Sequence, residues 1–205
     1  MPGLPLTTDA FVLLKRPPTD TFQTLTVFSA EHGTLTVLQR IAKKSPSASP
    51  PLDLFDEATL FLESSNQGRT WFIKESRLIT RHSDLGRSYE TLVSASALAG
   101  LISRNSVHEE TRPAVAILLR TALASLAQGA RPDIVYFKSL FCFARDEGYP
   151  LKQEWFPTLP ATERTNVAAL LNLPLAAQTL PAAQVHPLEQ RLEAYLRAHT
   201  EILFD

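Results

Sequence analysis

Asp9 to Arg16 (DAFVLLKR), Thr21 to Ser29 (TFQTLTVFS) and Gly33 to Ile41 (GTLTVLQRI) follow one another through tight turns, and their reading decides the fold. In the second run Leu25 and Val27 share one face while Thr24 and Thr26 share the other. In the third, Leu35, Val37 and Ile41 oppose Thr34, Thr36 and Arg40. Successive side chains of a strand point to opposite faces, so this alternation describes β-strands with one buried face. Two later runs, Ala58 to Glu63 (ATLFLE) and Arg69 to Thr80 (RTWFIKESRLIT), bring the number of strands to about five. Glu31-His32-Gly33 and Asn66-Gln67-Gly68 are the turn signals, with Gly33 expected at positive φ. Ser45 to Pro51 (SPSASPP) is too rich in Pro and Ser to pair, and reads as a loop between the third and fourth strands.

Near Ser83 the period changes from two to that of a helix. Apolar residues recur at Leu92, Ala95, Leu98 or Ala99, and Ile102, which predicts a helix over Tyr89 to Ile102. Val115, Leu118, Leu119, Ala122, Leu123 and Leu126 predict a second over Pro113 to Ala127, with Thr111 as N-cap and Gly129 as stop. A third, Pro132 to Glu147, starts on a proline, ends before Gly148 and carries Tyr136, Phe137, Phe141 and Phe143 on more than one face, as a centrally buried helix would. Further helices are expected from Ala161 to Asn172 and from Pro187 to Ile202. The fold class is therefore α+β. A five-stranded barrel with the strand number of an OB-fold occupies residues 1–81 and packs on an all-α helical domain, residues 82–205.

Composition narrows the function. The 205 residues are 44% hydrophobic, enough for a substantial core, and no window reaches the roughly 18 apolar residues of a membrane span. Met1-Pro2-Gly3-Leu4-Pro5 lacks the basic and apolar regions of a signal peptide, so a cytoplasmic location is expected. The five histidines are scattered, none three or four residues from another His or Cys, and the single cysteine, Cys142, lies among phenylalanines inside a helix. That setting suppresses the thiolate, and no metal or cofactor motif is present. Acidic pairs such as Glu109-Glu110 read as solvated faces, and no glycine-rich phosphate loop exists. An enzyme is not expected.

A binding function is. Net charge is only −1, and residues 1–81 hold nine Lys and Arg against eight Asp and Glu, so any affinity for nucleic acid must come from local clustering. Arg40, Lys43 and Lys44 form such a cluster at the end of a barrel strand, beside a loop, where OB-folds contact nucleic acid. Lys15, Arg16 and Arg69 complete the candidate DNA-binding set. Trp71 and Phe72 are adjacent on one strand, so one is core and the other points outward or lies under a capping element. Lys138 and Arg145 flank the aromatic helix.

Ala10-Phe11-Val12-Leu13, Arg16-Pro17, Thr21, Thr26-Val27-Phe28, Gly33 and Ala42-Lys43-Lys44-Ser45 together resemble the amino-terminal domain of the bacterial recombination mediator RecO. Phe137 to Tyr149 (FKSLFCFARDEGY) resembles the helix ending in Gly-Tyr of that family's helical domain, so the resemblance spans most of the chain. It implies a non-enzymatic repair and recombination mediator that binds single- and double-stranded DNA, promotes annealing and, with RecR, helps RecA displace single-strand-binding protein. It also implies that the helical domain receives the acidic, Phe-ended tail of single-strand-binding protein, for which Lys138, Arg145, Phe137 and Phe141 are the candidate residues. One departure is plain: with Cys142 alone the chain cannot build the cysteine zinc module that many RecO proteins carry. That absence and the near-neutral charge favour the alternative, a RecO-like protein-interaction adaptor with weak or no DNA binding.

Overall fold

The computed structural model describes residues 4–41, 51–65 and 70–204. Five strands come first: β1 (Pro5–Lys15), β2 (Phe22–Ser29), β3 (Gly33–Arg40), β4 (Glu57–Ser65) and β5 (Thr70–Thr80). Their order is β1-β2-β3-β5-β4, and the sheet closes because β4 pairs with β1. Every pairing is antiparallel except β3 with β5, a short parallel contact at Val37↔Trp71 and Leu38↔Phe72.

β1 starts earlier than the alternation in Asp9 to Arg16 predicts. Its first part, Pro5 to Phe11, pairs with β4, and its second, Ala10 to Lys15, pairs with β2. The register with β2 shifts between Val12 and Leu14, a bulge at Leu13 that bends the strand as it passes from one neighbour to the other. Ala10, Val12, Leu25, Val27, Val37, Leu60 and Leu62 fill the interior, with Trp71 and Ile73 packed against them. At the β2–β3 turn Gly33 has φ 69°, and the Ser29 hydroxyl oxygen accepts the Glu31 and His32 N–H groups. This is a three-residue hairpin loop closed by a left-handed glycine.

A buried charge secures the start of β4. Asp56 is 1% exposed, yet its carboxylate receives Nε and Nη2 of Arg81 and the backbone N–H of Asp53. Arg81 also donates to the Pro51 carbonyl at 2.9 Å, and the Asp56 partner holds its pKa above the usual guanidinium value. Removing one partner of a buried pair strands the other charge out of water.

The helices are α1 (Tyr89–Arg104), α2 (Arg112–Ala127), α3 (Pro132–Asp146), α4 (Ala161–Asn172) and α5 (Ala182–His199). The chain forms two compact units. One ends at His82 and takes in Ile102–Ala116; the other contains Ser83–Leu101 and continues from Ile117. The segment Ile102–Ala116 lies among the helices in sequence but groups with the sheet. Gly129 and Gly148 stop α2 and α3 at φ 85° and 93°. Each donates to the carbonyl three residues back, and the following residue donates five back, the αL termination that only glycine adopts without strain.

α5 begins five positions before the Pro187 start read from the sequence, and Pro187 lies inside it. The helix is held by its apolar stripe, Val185, Leu188, Leu192 and Leu196, which outweighs the backbone donor lost at Pro187. α3 is buried on more than one side, as its aromatic content predicts, and packs on α5 and α4. Between α3 and α5, the Tyr136 hydroxyl donates to Glu193 at 3.1 Å. Burial, reinforced by Glu193 and Asp133, pushes the Glu189 carboxyl up to about 7.

Two predictions follow from these buried groups. Arg81→Ala should destabilise the protein by about 3 kcal/mol in urea unfolding, because the buried Asp56 side chain loses its counter-ion and the Nε and Nη2 donors. For Glu189, the folded protein retains between pH 4.5 and 7 a proton that the unfolded chain has released, so stability falls as pH rises through that window and the penalty is constant above it. Glu189→Gln should therefore raise stability at pH 8 by about 1–2 kcal/mol, after allowance for partial exposure, and change it little at pH 4.5. Thermal unfolding of both proteins at the two pH values measures this.

Candidate nucleic-acid face and partner cavity

The sheet brings some of the expected basic residues together and commits others elsewhere. Arg40 ends β3, exposed, and pairs in register with Phe22 of β2. Arg16 follows β1, also exposed, and is held beside β2 because its N–H donates to Thr24 O at 3.0 Å and its carbonyl accepts the Gln23 side-chain amide. Among the described residues neither guanidinium makes an ion pair. Lys15 is different: its Nζ lies 2.9 Å from Asp53, whose carboxyl this contact holds below the ordinary aspartate range. Lys43, Lys44 and Arg69 lie outside the described residues.

The adjacent aromatics divide as strand geometry requires. Trp71 packs against the interior with Ile73, so Phe72 is the outward ring. It meets a partner there: Phe22 and Phe72 stand 5.4 Å apart, tilted by 54° and both half-buried. Phe22 was missed in the sequence, although parity could have found it, since it shares the face of Thr24 and Thr26 opposite the buried Leu25 and Val27. The outer side of β2, β3 and β5 thus carries two rings, with Arg40 registered against one of them. Rings on a sheet with flanking cations offer stacking surfaces for bases and charge for the backbone.

In the helical unit, α3 presents Lys138, Phe141, Cys142 and Arg145, spaced so that all fall on one stripe. With Ala168, Leu171 and Asn172 of α4 and with Lys152 and Phe156 from the intervening segment, they line a cavity of about 390 Å³. Phe137, expected here, is fully buried and does not line it. The three cations have different circumstances. Lys138 donates to the Leu171 and Leu173 carbonyls at 3.3 and 2.8 Å, at the end of α4, and burial lowers its pKa. Arg145 is held by Asp146 at 2.6 Å, a bond that raises its pKa. Lys152 is exposed and makes no ion pair among the described residues. Lys152 carries no periodic signal, so only the fold reveals that it belongs to the cavity.

Burial raises the Cys142 thiol, so the cysteine at the cavity wall is held as the neutral, weakly nucleophilic form. No group of three or more His, Cys, Asp and Glu side chains that could hold a metal occurs among the described residues, and no helix there is long and apolar enough to cross a membrane. Comparison of the sequence with protein-family models and with curated proteins gives no match.

Proposed function

We propose that this protein is a RecO-like recombination and repair mediator: its closed sheet acts as an OB-fold that binds single- and double-stranded DNA, and its helical unit captures an acidic, aromatic-ended protein tail. The observation that carries the reading is the outward face of β2, β3 and β5, where the Phe22–Phe72 pair stands beside Arg40. Strand order β1-β2-β3-β5-β4 in a closed five-stranded sheet supports the OB-fold assignment. In such folds the face of the second and third strands and the first connecting loop bind oligonucleotides, and these are the places of Phe22, Arg40 and Arg16. No covalent step is required of it. Annealing and the handover of a strand to RecA with RecR would follow from holding DNA by stacking and backbone charge, which leave the base edges free.

The helical cavity fits the second half of the reading. Phe141, Phe156, Ala168 and Leu171 offer an apolar slot for a terminal ring, and Lys138, Arg145 and Lys152 a positive rim for carboxylates. A protein-interaction adaptor without DNA affinity is the competing reading. It is favoured by the net charge of −1 and by the neutralisation of Lys15 and Arg81 within the fold.

Two measurements separate these readings. Single-stranded DNA binding should weaken with salt, and Arg16→Ala with Arg40→Ala should lower the log–log slope by about 1.4 if each arginine neutralises one phosphate. An unchanged slope in the folded double variant removes this face from the site; no binding to wild type at low salt leaves the adaptor. Calorimetry with a synthetic acidic, Phe-ended peptide should show binding that falls about tenfold in Arg145→Ala with Lys152→Ala, a loss of about 1.4 kcal/mol. Equal affinity for both proteins places the peptide site elsewhere.

A further inference from the structure

The sheet unit contains a second cavity, of about 320 Å³, whose chemistry the reading above does not use. His32, Gly33 and Thr34 of the β2–β3 turn line it together with the segment joining α1 to α2 and Arg112, the first residue of α2. Two arginines, Arg104 and Arg112, are among its lining residues, along with Ser103, Asn105 and Ser106. Among the described residues no Asp or Glu lines it, and Val107 is its one apolar wall apart from Gly33.

Arg112 is placed with unusual care and left underused. Its Nη1 donates to the Glu31 carbonyl at 3.2 Å, and its guanidinium lies directly against Gly33. A Cβ at Gly33 would stand 3.0 Å from Nε and 3.4 Å from Cζ, so this turn needs glycine twice, for its φ of 69° and for the arginine. Nε is buried and has no hydrogen-bond partner among the described residues. A buried cationic N–H without an acceptor is costly, and a bound oxyanion is the group that satisfies it.

We propose that this cavity is a phosphate-binding site, with Arg112 as its anchor and Arg104 as its second charge. The polar lining decides between anions: an organic acid needs apolar walls for its carbon body, whereas a phosphate presents acceptor oxygens in several directions to guanidinium, amide and hydroxyl donors. The phosphate belongs either to a free nucleotide or to the backbone of a nucleic-acid strand, and the site does not depend on the DNA-binding face at Phe22 and Phe72.

The test is an amide NMR titration of the whole protein with inorganic phosphate, a nucleoside 5′-monophosphate and a single-stranded oligonucleotide. Inorganic phosphate should shift the His32, Gly33 and Thr34 amides saturably. Arg112→Gln should weaken that binding about tenfold, as loss of a charge-assisted bond predicts. Arg104→Gln, on an exposed side chain, provides a second variant that spares the Gly33 contact. Saturable shifts with the mononucleotide but not the oligonucleotide identify a free ligand, and the converse identifies a strand; either supports the site. Shifts that do not saturate, or equal affinity in wild type and both variants, overturn it. If phosphate fails here while Arg16 and Arg40 still set the salt slope, the DNA-binding reading stands without this site.

Discussion

Closure of the sheet through β1 is the constraint on which the sheet unit depends. An open five-stranded sheet would leave unpaired N–H and C=O groups on two edges, whereas β1 pairs with β4 along its first part and β2 along its second. The bulge at Leu13 makes the change of neighbour possible. The connection into β4 then has to return to β1, and it does so in a left-handed conformation: Phe55 has φ 66°, uncommon for a bulky side chain. Hydrogen bonds from Phe55 N–H to Val12 O and from Val12 N–H to Asp56 O, at 2.8 and 2.9 Å, hold that residue in place while its ring is buried. The Asp56–Arg81 pair locks the same corner from the end of β5. One strained residue and one buried ion pair are thus the local cost of removing both edges.

The fold also determines which charges remain for a ligand. Lys15 is directed to Asp53 and Arg81 to Asp56, while Lys138 and Arg145 are oriented by the carbonyls ending α4 and by Asp146 and still line the helical cavity. Net charge therefore says little about binding here. Local exposure says more: Arg16 and Arg40 flank the Phe22–Phe72 face, Lys152 is exposed at the helical cavity, and Arg112 has a buried donor without an acceptor among the described residues. Each place pairs a cation with a second chemistry: an outward ring pair on a sheet, an enclosed apolar slot, or hydroxyl- and amide-bearing residues.

Local pattern determined the elements. Alternation located β2 and β3 to within a residue, helical spacing located α1 and α2, Pro132 and Gly148 bracketed α3, and Gly33, Gly129 and Gly148 marked turns because tolerance of positive φ is a property of the residue itself. Parity within β2 also contained the outward placement of Phe22. What lay beyond the sequence depended on partners far away in the chain. The early start of β1 reflects pairing with β4, fifty residues later at Asp9↔Thr59, and the early start of α5 reflects packing of its apolar stripe, which overrides a proline. The joining of Lys152 to α3 and α4, and of Arg112 to Gly33, are likewise contacts that no window of neighbouring residues records. Backbone period and glycine conformation act over a few residues and are written in the sequence, whereas hydrogen-bonded pairing, burial of charge and the convergence of side chains on a cavity exist only once distant segments have met.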